Sequence, residues 1–194
     1  MEKKSAIIVA DVQNDFCPGG ALPVPDGDKV VDVLNRYMQI FSSKGIPIFI
    51  TRDWHPEKTN HFKEYGGLWP AHCVKGTHGA QFHKKLKMFS GTTILTKGDR
   101  ADRDDYSAFY AYTPDVTPFS DVLMRLGIKH LYIGGLATDY CVRETVLDAL
   151  ERGFSVTVLL DAVKGVDVNP GDSEKALQEM KEMGADTTTI DKVS

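Results

Sequence analysis

Six short, apolar, β-branched segments, residues 6–10, 46–51, 92–96, 130–134, 155–160 and 186–190, alternate along the chain with longer stretches whose apolar residues recur at helical spacing. This alternation predicts βαβ units and a parallel sheet covered by helices on both faces. The helices are expected over 28–44, where Val30, Val33, Leu34, Tyr37, Ile40 and Phe41 make the stripe, over 115–126, over 138–152, and over 172–183, where Ala176, Leu177, Met180 and Met183 share a face. A glycine stands directly behind each pattern, at Gly45, Gly127, Gly153 and Gly184, as a helix stop does. Two stretches break the alternation. Residues 53–89 hold five of the six histidines and both tryptophans without sustained periodicity, and residues 98–118 are polar and aromatic. Irregular segments this long in a compact chain usually carry function.

Composition adds bounds to that picture. At 194 residues, 42% hydrophobic and 26% charged, the chain has material for one sizeable core and is read as one domain, residues 1–194. A formal charge of -4, with no basic block or stripe, argues against nucleic acid as a partner. No segment approaches membrane-spanning length, and the apolar run at 6–10 is too short for a signal peptide and runs into Asp11, so a cytoplasmic protein is expected. Cys17, Cys73 and Cys141 are odd in number and lack CxxC spacing, which points neither to a disulfide framework nor to a thiolate zinc site.

In an open parallel sheet, ligands bind beyond the carboxyl ends of the strands, so the residues just past each predicted strand matter most. Asp11 follows the first strand, Asp53 the second and Lys97 the third; Cys141 lies a few residues past the fourth, in GGLATDYCVR (residues 134–143). Each alone has a plain structural reading: a turn-forming Asp, a solvated Lys, a buried Cys. Four such groups at corresponding ends of four strands make a coincidence a poor explanation. Cys141 is expected in the first turn of a helix, where unpaired amides and the helix dipole favour thiolate over thiol.

Asp53-x-His55 followed by His72 is the metal signal. Carboxylate and imidazole suit zinc, manganese or iron(II), and three protein ligands leave positions open. Two residues apart on extended chain, Asp53 and His55 project to one side. His72 is favoured because Trp69-Pro70 and Cys73-Val74 flank it with apolar groups, while His61 is a candidate fourth ligand that competes with a surface reading, as do His78 and His83. Phe16, Trp69 and Tyr106 fall on loops at the same edge and could sandwich a flat ring.

Taken in order, DVQNDFCPGGALPV (11–24), TRDWHP (51–56), GLWPAHCVKGTHGAQF (67–82), KG (97–98), DYSAF (105–109), GGLATDYCVRETVLDAL (134–150) and DAVKGV (161–166) resemble the nicotinamidases of the isochorismatase-like cysteine hydrolase superfamily over nearly the whole chain. The resemblance implies a three-layer α/β/α sandwich with a mostly parallel six-stranded sheet in the order 3-2-1-4-5-6. It further implies a catalytic triad of Asp11, Lys97 and Cys141, one divalent metal ion on Asp53, His55 and His72, and a cis peptide between Leu136 and Ala137. Zinc is the first expectation for the metal, with iron or manganese as alternatives. The activity implied is hydrolysis of nicotinamide to nicotinic acid and ammonia, an NAD-salvage step of pyridine nucleotide metabolism, with pyrazinamide as an analogue substrate. The thiolate of Cys141 would attack, and the backbone N–H groups of Ala137 and Cys141 would form the oxyanion hole. Members of the family differ at the position of His61, and the charged run DRADRDD (99–105) departs from the family's pattern. Oligomeric state is left open.

Three competitors remain at this stage. One is an amidase on the same scaffold acting on a carbamoyl or ureido compound, against which a metal suited to a ring nitrogen argues. Another is metal-free vinyl ether hydrolysis, which needs no thiol, and the last is a non-catalytic α/β binding module.

Overall fold

The computed structural model describes residues 4–193. In chain order the elements are β1 (Ser5–Ala10), α1 (Val30–Ser43), β2 (Ile48–Asp53), β3 (Thr92–Lys97), α2 (Phe119–Leu126), β4 (His130–Leu136), α3 (Arg143–Glu151), β5 (Ser155–Lys164), α4 (Asp172–Glu182) and β6 (Asp186–Thr188). All six strands are parallel, in the order β3-β2-β1-β4-β5-β6. The central strand β1 is buried on both sides, which is why its sequence reads as a continuous apolar run and not as an alternation. Ala6, Ile8 and Ala10 face the layer of α2, α3 and α4, where they meet the core of Phe119, Leu123, Val146, Ala149, Ala176 and Met180. Ile7 and Val9 face α1, whose buried stripe is Val30, Val31, Leu34, Tyr37, Met38 and Phe41. The result is a three-layer α/β/α sandwich.

Several boundaries move, for local reasons. The second strand runs from Ile48 to Asp53 and not over 46–51, because Pro47 has no N–H for the ladder and Ile46 still donates to Phe41 of the preceding helix. The helix expected over 115–126 begins at Phe119. Thr113 and Thr117 close a tight loop instead, the Thr113 N–H donating to the Thr117 carbonyl at 3.0 Å and the Thr117 N–H to Thr113 Oγ1 at 3.1 Å, and Pro118 biases the residue before it away from helix. The fifth strand continues to Lys164, past 160, after a slip of register between Ile133 and Gly135.

The winding reverses between β1 and β4. At the carboxyl ends of these two strands the chain leaves the sheet in opposite directions, which opens the crevice where a ligand can enter. Asp11 stands directly after β1, and residues 137–142 stand directly after β4.

Candidate active site

The pairing of β2 with β3 sets Asp53 beside Lys97, so the ladder itself brings carboxylate and ammonium together. Lys97 is 1% exposed. Its Nζ lies 2.6 Å from Asp53 Oδ1, 2.9 Å from Asp11 Oδ2 and 3.4 Å from Cys141 Sγ. Asp11 has a positive φ of 47°, a conformation Asp tolerates better than most residues and one that turns its side chain away from the strand direction. Thr51 holds it there: its hydroxyl donates to Asp11 Oδ1 at 2.6 Å and accepts from the Asp11 N–H at 3.2 Å.

Cys141 reaches the same point from β4. Gly135 pairs with Ala10 and has a φ of 117°; a Cβ there would lie 2.2 Å from the Ala10 carbonyl oxygen, so only glycine allows the two strand ends to close up. The Leu136–Ala137 peptide is cis. A single π-helical turn, Thr138–Val142, follows, with the Val142 N–H donating to the Ala137 carbonyl at 3.1 Å. Thr145 donates to the Cys141 carbonyl at 2.6 Å and fixes the turn to α3.

Burial dominates the protonation of this group. It pushes the Cys141 thiol well above its ordinary value, with Lys97 opposing and the two carboxylates reinforcing. Burial thus holds the resting sulfur towards the protonated thiol, against the preference for thiolate that its place near a helix start supplies. Burial would drive the Lys97 ammonium towards neutrality, but Asp11 and Asp53 outweigh it and hold the charge. Burial also raises Asp11, against Lys97 and with help from Asp53. Asp53 goes the other way, since Lys97 and then His55 overcome its burial and keep it below the ordinary carboxylate range. Two carboxylates on one ammonium are thus driven apart, which leaves Asp11 the better proton acceptor and Asp53 the settled anion.

Next to this group, His55, His61 and His72 bring one ring nitrogen each within 4.8 Å of the others, all three buried. His55 and His61 stack at 4.6 Å. In each ring Nδ1 faces an oxygen acceptor: the Gly98 carbonyl at 2.8 Å for His55, the Pro70 carbonyl at 2.8 Å for His72, and the Asp104 carboxylate for His61. Those partners put the proton on Nδ1 and leave the Nε2 lone pair inward, the arrangement of histidines that ligate a metal. His55 Nε2 is buried with no hydrogen-bond partner among the described residues, and Asp53 Oδ2 lies 3.8 Å from it. A buried nitrogen left unpaired beside a carboxylate fits a bound cation. Gly98 is needed for this geometry, since a Cβ there would sit 2.7 Å from His55 Cε1.

Burial lowers His55 to about 4 and shifts His72 in the same direction. The unfolded imidazole takes a proton below pH 6.5, whereas the folded His55 does not until about pH 4, so metal-free protein should lose stability on acidification through that window and gain nothing above it. We expect His55 alone to remove about 2 kcal/mol between pH 7 and pH 5. Urea unfolding of chelated wild type and His55→Gln at the two pH values checks this; equal losses in both proteins would reject it.

The three aromatics divide. Trp69 and Tyr106 meet through a 2.9 Å hydrogen bond from the indole Nε1 to the phenol oxygen, and Tyr140 packs edge-on against Trp69 at 4.8 Å. Phe16 stands apart from them, 5.4 Å from His72. His78 is exposed and His83 half-buried, neither of them in the histidine cluster. Sequence reasoning missed Thr51, Gln13, Tyr140 and Asp104. Gln13 is 0% exposed and braces Asp53 from both sides, its amide donating to the Asp53 carbonyl and its oxygen accepting the Asp53 N–H, each at 2.8 Å. Asp104 lay within the charged run that had no explanation, which was the one signal pointing to it.

Residues 5–192 match the family model of the isochorismatase domain. The nicotinamidase of Escherichia coli (strain K12) is 39% identical over 201 residues, covering 95% of this chain and 94% of the relative. Among solved structures, the pyrazinamidase of Pyrococcus horikoshii in complex with zinc is 46% identical with a TM-score of 0.88, over 96% of this chain and 99% of that one. PnC1 from L. infantum in complex with nicotinate is 32% identical with a TM-score of 0.86, over 97% and 94%.

Proposed function

The chain belongs to the isochorismatase domain family as a hydrolase of its nicotinamidase type, and from that premise we propose that it converts nicotinamide to nicotinic acid and ammonia through a thioester on Cys141. The observation that carries this reading is the buried Lys97 ammonium, within 3.4 Å of both the Asp11 carboxylate and the Cys141 sulfur. The Asp11 carboxylate, whose Oδ2 lies 2.9 Å from Lys97 Nζ, takes the thiol proton. Lys97 keeps its charge throughout and stabilises the thiolate as it forms. Sulfur then adds to the carboxamide carbon, and the negative charge on its oxygen is met by the backbone N–H groups of Ala137 and Cys141. Collapse breaks the C–N bond, with the proton on Asp11 passing to the departing ammonia. Water then adds to the thioester, giving a proton to Asp11, and the acid leaves as the thiol is restored.

Asp53, His55, His61 and His72 would hold a divalent ion, zinc before iron or manganese. When bound, it supplies a Lewis-acid contact for the ring nitrogen. The residues do the rest of the positioning: Phe16 packs against His72 and Tyr106 against His61, and Tyr106 is joined to Trp69 and through it to Tyr140. An ammonia-release assay on nicotinamide, before and after chelation and after adding zinc back, tests the reading. Turnover should fall at least about tenfold with chelator and return with zinc; failure to release ammonia from nicotinamide under any loading would refute it.

A further inference from the structure

We propose that Asp104, on the charged loop after β3, is a positioning residue that makes His61 a nitrogen donor to the metal, so that this loop and the metal hold each other in place. The inference rests on the metal reading above. One short segment reaches across to two of the histidines and to the two residues before His61. The Gly98 carbonyl faces His55 Nδ1, the Ala101 carbonyl accepts from the Asn60 N–H at 2.9 Å and from Thr59 Oγ1 at 3.2 Å, and the Asp104 carboxylate meets His61 Nδ1. The His61 side chain is 5% exposed while that of Asp104 is 50% exposed, so the carboxylate comes in from the surface to a ring that is already inside. A buried imidazole with a carboxylate on Nδ1 has one tautomer, and its Nε2 lone pair then points among the nitrogens of His55 and His72.

Zinc affinity, measured on the metal-stripped full chain by competition with a chromogenic chelator, tests the proposal. Asp104→Ala should weaken binding about 10- to 100-fold, and Asp104→Asn, whose amide oxygen still accepts from Nδ1, should fall between it and wild type. Because Asp104 acts through His61, adding Asp104→Ala to His61→Ala should cause no further loss. Unchanged affinity in Asp104→Ala overturns the proposal, as does an equal loss in both backgrounds, which would mean a general charge effect. Unchanged affinity in His61→Ala overturns it too. Wild type that takes up no zinc would instead sink the metal reading beneath it, a result visible before any variant is made.

Discussion

Replacing Cys141 by Ala should reduce turnover of nicotinamide by at least about four orders of magnitude while leaving a folded protein. A thioester needs the sulfur, and loss of a nucleophile from a concerted set typically removes nearly all the chemistry, not a share of it. The fold should tolerate the change, since one buried sulfur at the end of a short side chain is lost and the π-helical turn is held by backbone bonds and by Thr145. The other two cysteines serve as controls. Cys17 and Cys73 are buried, and burial drives both thiols up, Cys17 to about 11 and Cys73 well above its ordinary value, whereas the Lys97 ammonium lies 3.4 Å from the Cys141 sulfur. Cys17→Ala and Cys73→Ala should therefore keep turnover near wild type. Mass spectrometry of acid-quenched reactions offers a second readout, a nicotinoyl adduct on wild type and none on Cys141→Ala. Near wild-type rates in Cys141→Ala would end the covalent mechanism.

The second large effect is expected at the histidines. His55→Ala or His72→Ala should yield protein that purifies with little metal, with affinity down by more than about a hundredfold, because loss of a ligand should exceed the 10- to 100-fold cost of losing an outer partner. His55 has the more demanding place, between the Gly98 carbonyl and the Asp53 carboxylate, and its Nε2 is buried with no hydrogen-bond partner among the described residues. Activity at saturating substrate should survive better than activity at low substrate. A contact to the ring nitrogen binds ground state and transition state alike, so its loss raises KM more than it lowers kcat. Metal content by elemental analysis and the two kinetic constants together decide the point. Full metal occupancy in either variant, or a loss confined to kcat, would contradict the assignment of a substrate-holding ion.

The sequence by itself determined the α/β class and the placing of the candidate site residues at strand ends, because both are written in short-range pattern. Burial on two faces makes β1 an unbroken apolar run, and a helix on one face of a sheet needs a stripe, so alternation of the two was enough for the α/β class. Asp11, Lys97 and Cys141 were legible because each follows a strand, and parallel strands put their carboxyl ends together wherever they pair. Boundaries were less legible where a local competitor acted: Pro47 delayed β2, and the Thr113–Thr117 hydrogen bonds delayed α2.

What only the tertiary structure decided depends on contacts between residues far apart in the chain. The β2–β3 register, which sets Asp53 beside Lys97, puts one carboxylate on the ammonium, and Thr51 aims the second. The burial that raises the Cys141 thiol could not be read from its position near a helix start, because burial is a property of the packed molecule. His61 looked like a surface histidine as readily as a ligand, and its burial beside His55 comes from the loop 98–106 folding back over residues 59–61. Gln13 and Asp104 carry no motif of their own; they acquire their place by meeting backbone and side-chain groups about 40 residues away, a pairing that no periodicity along the chain encodes.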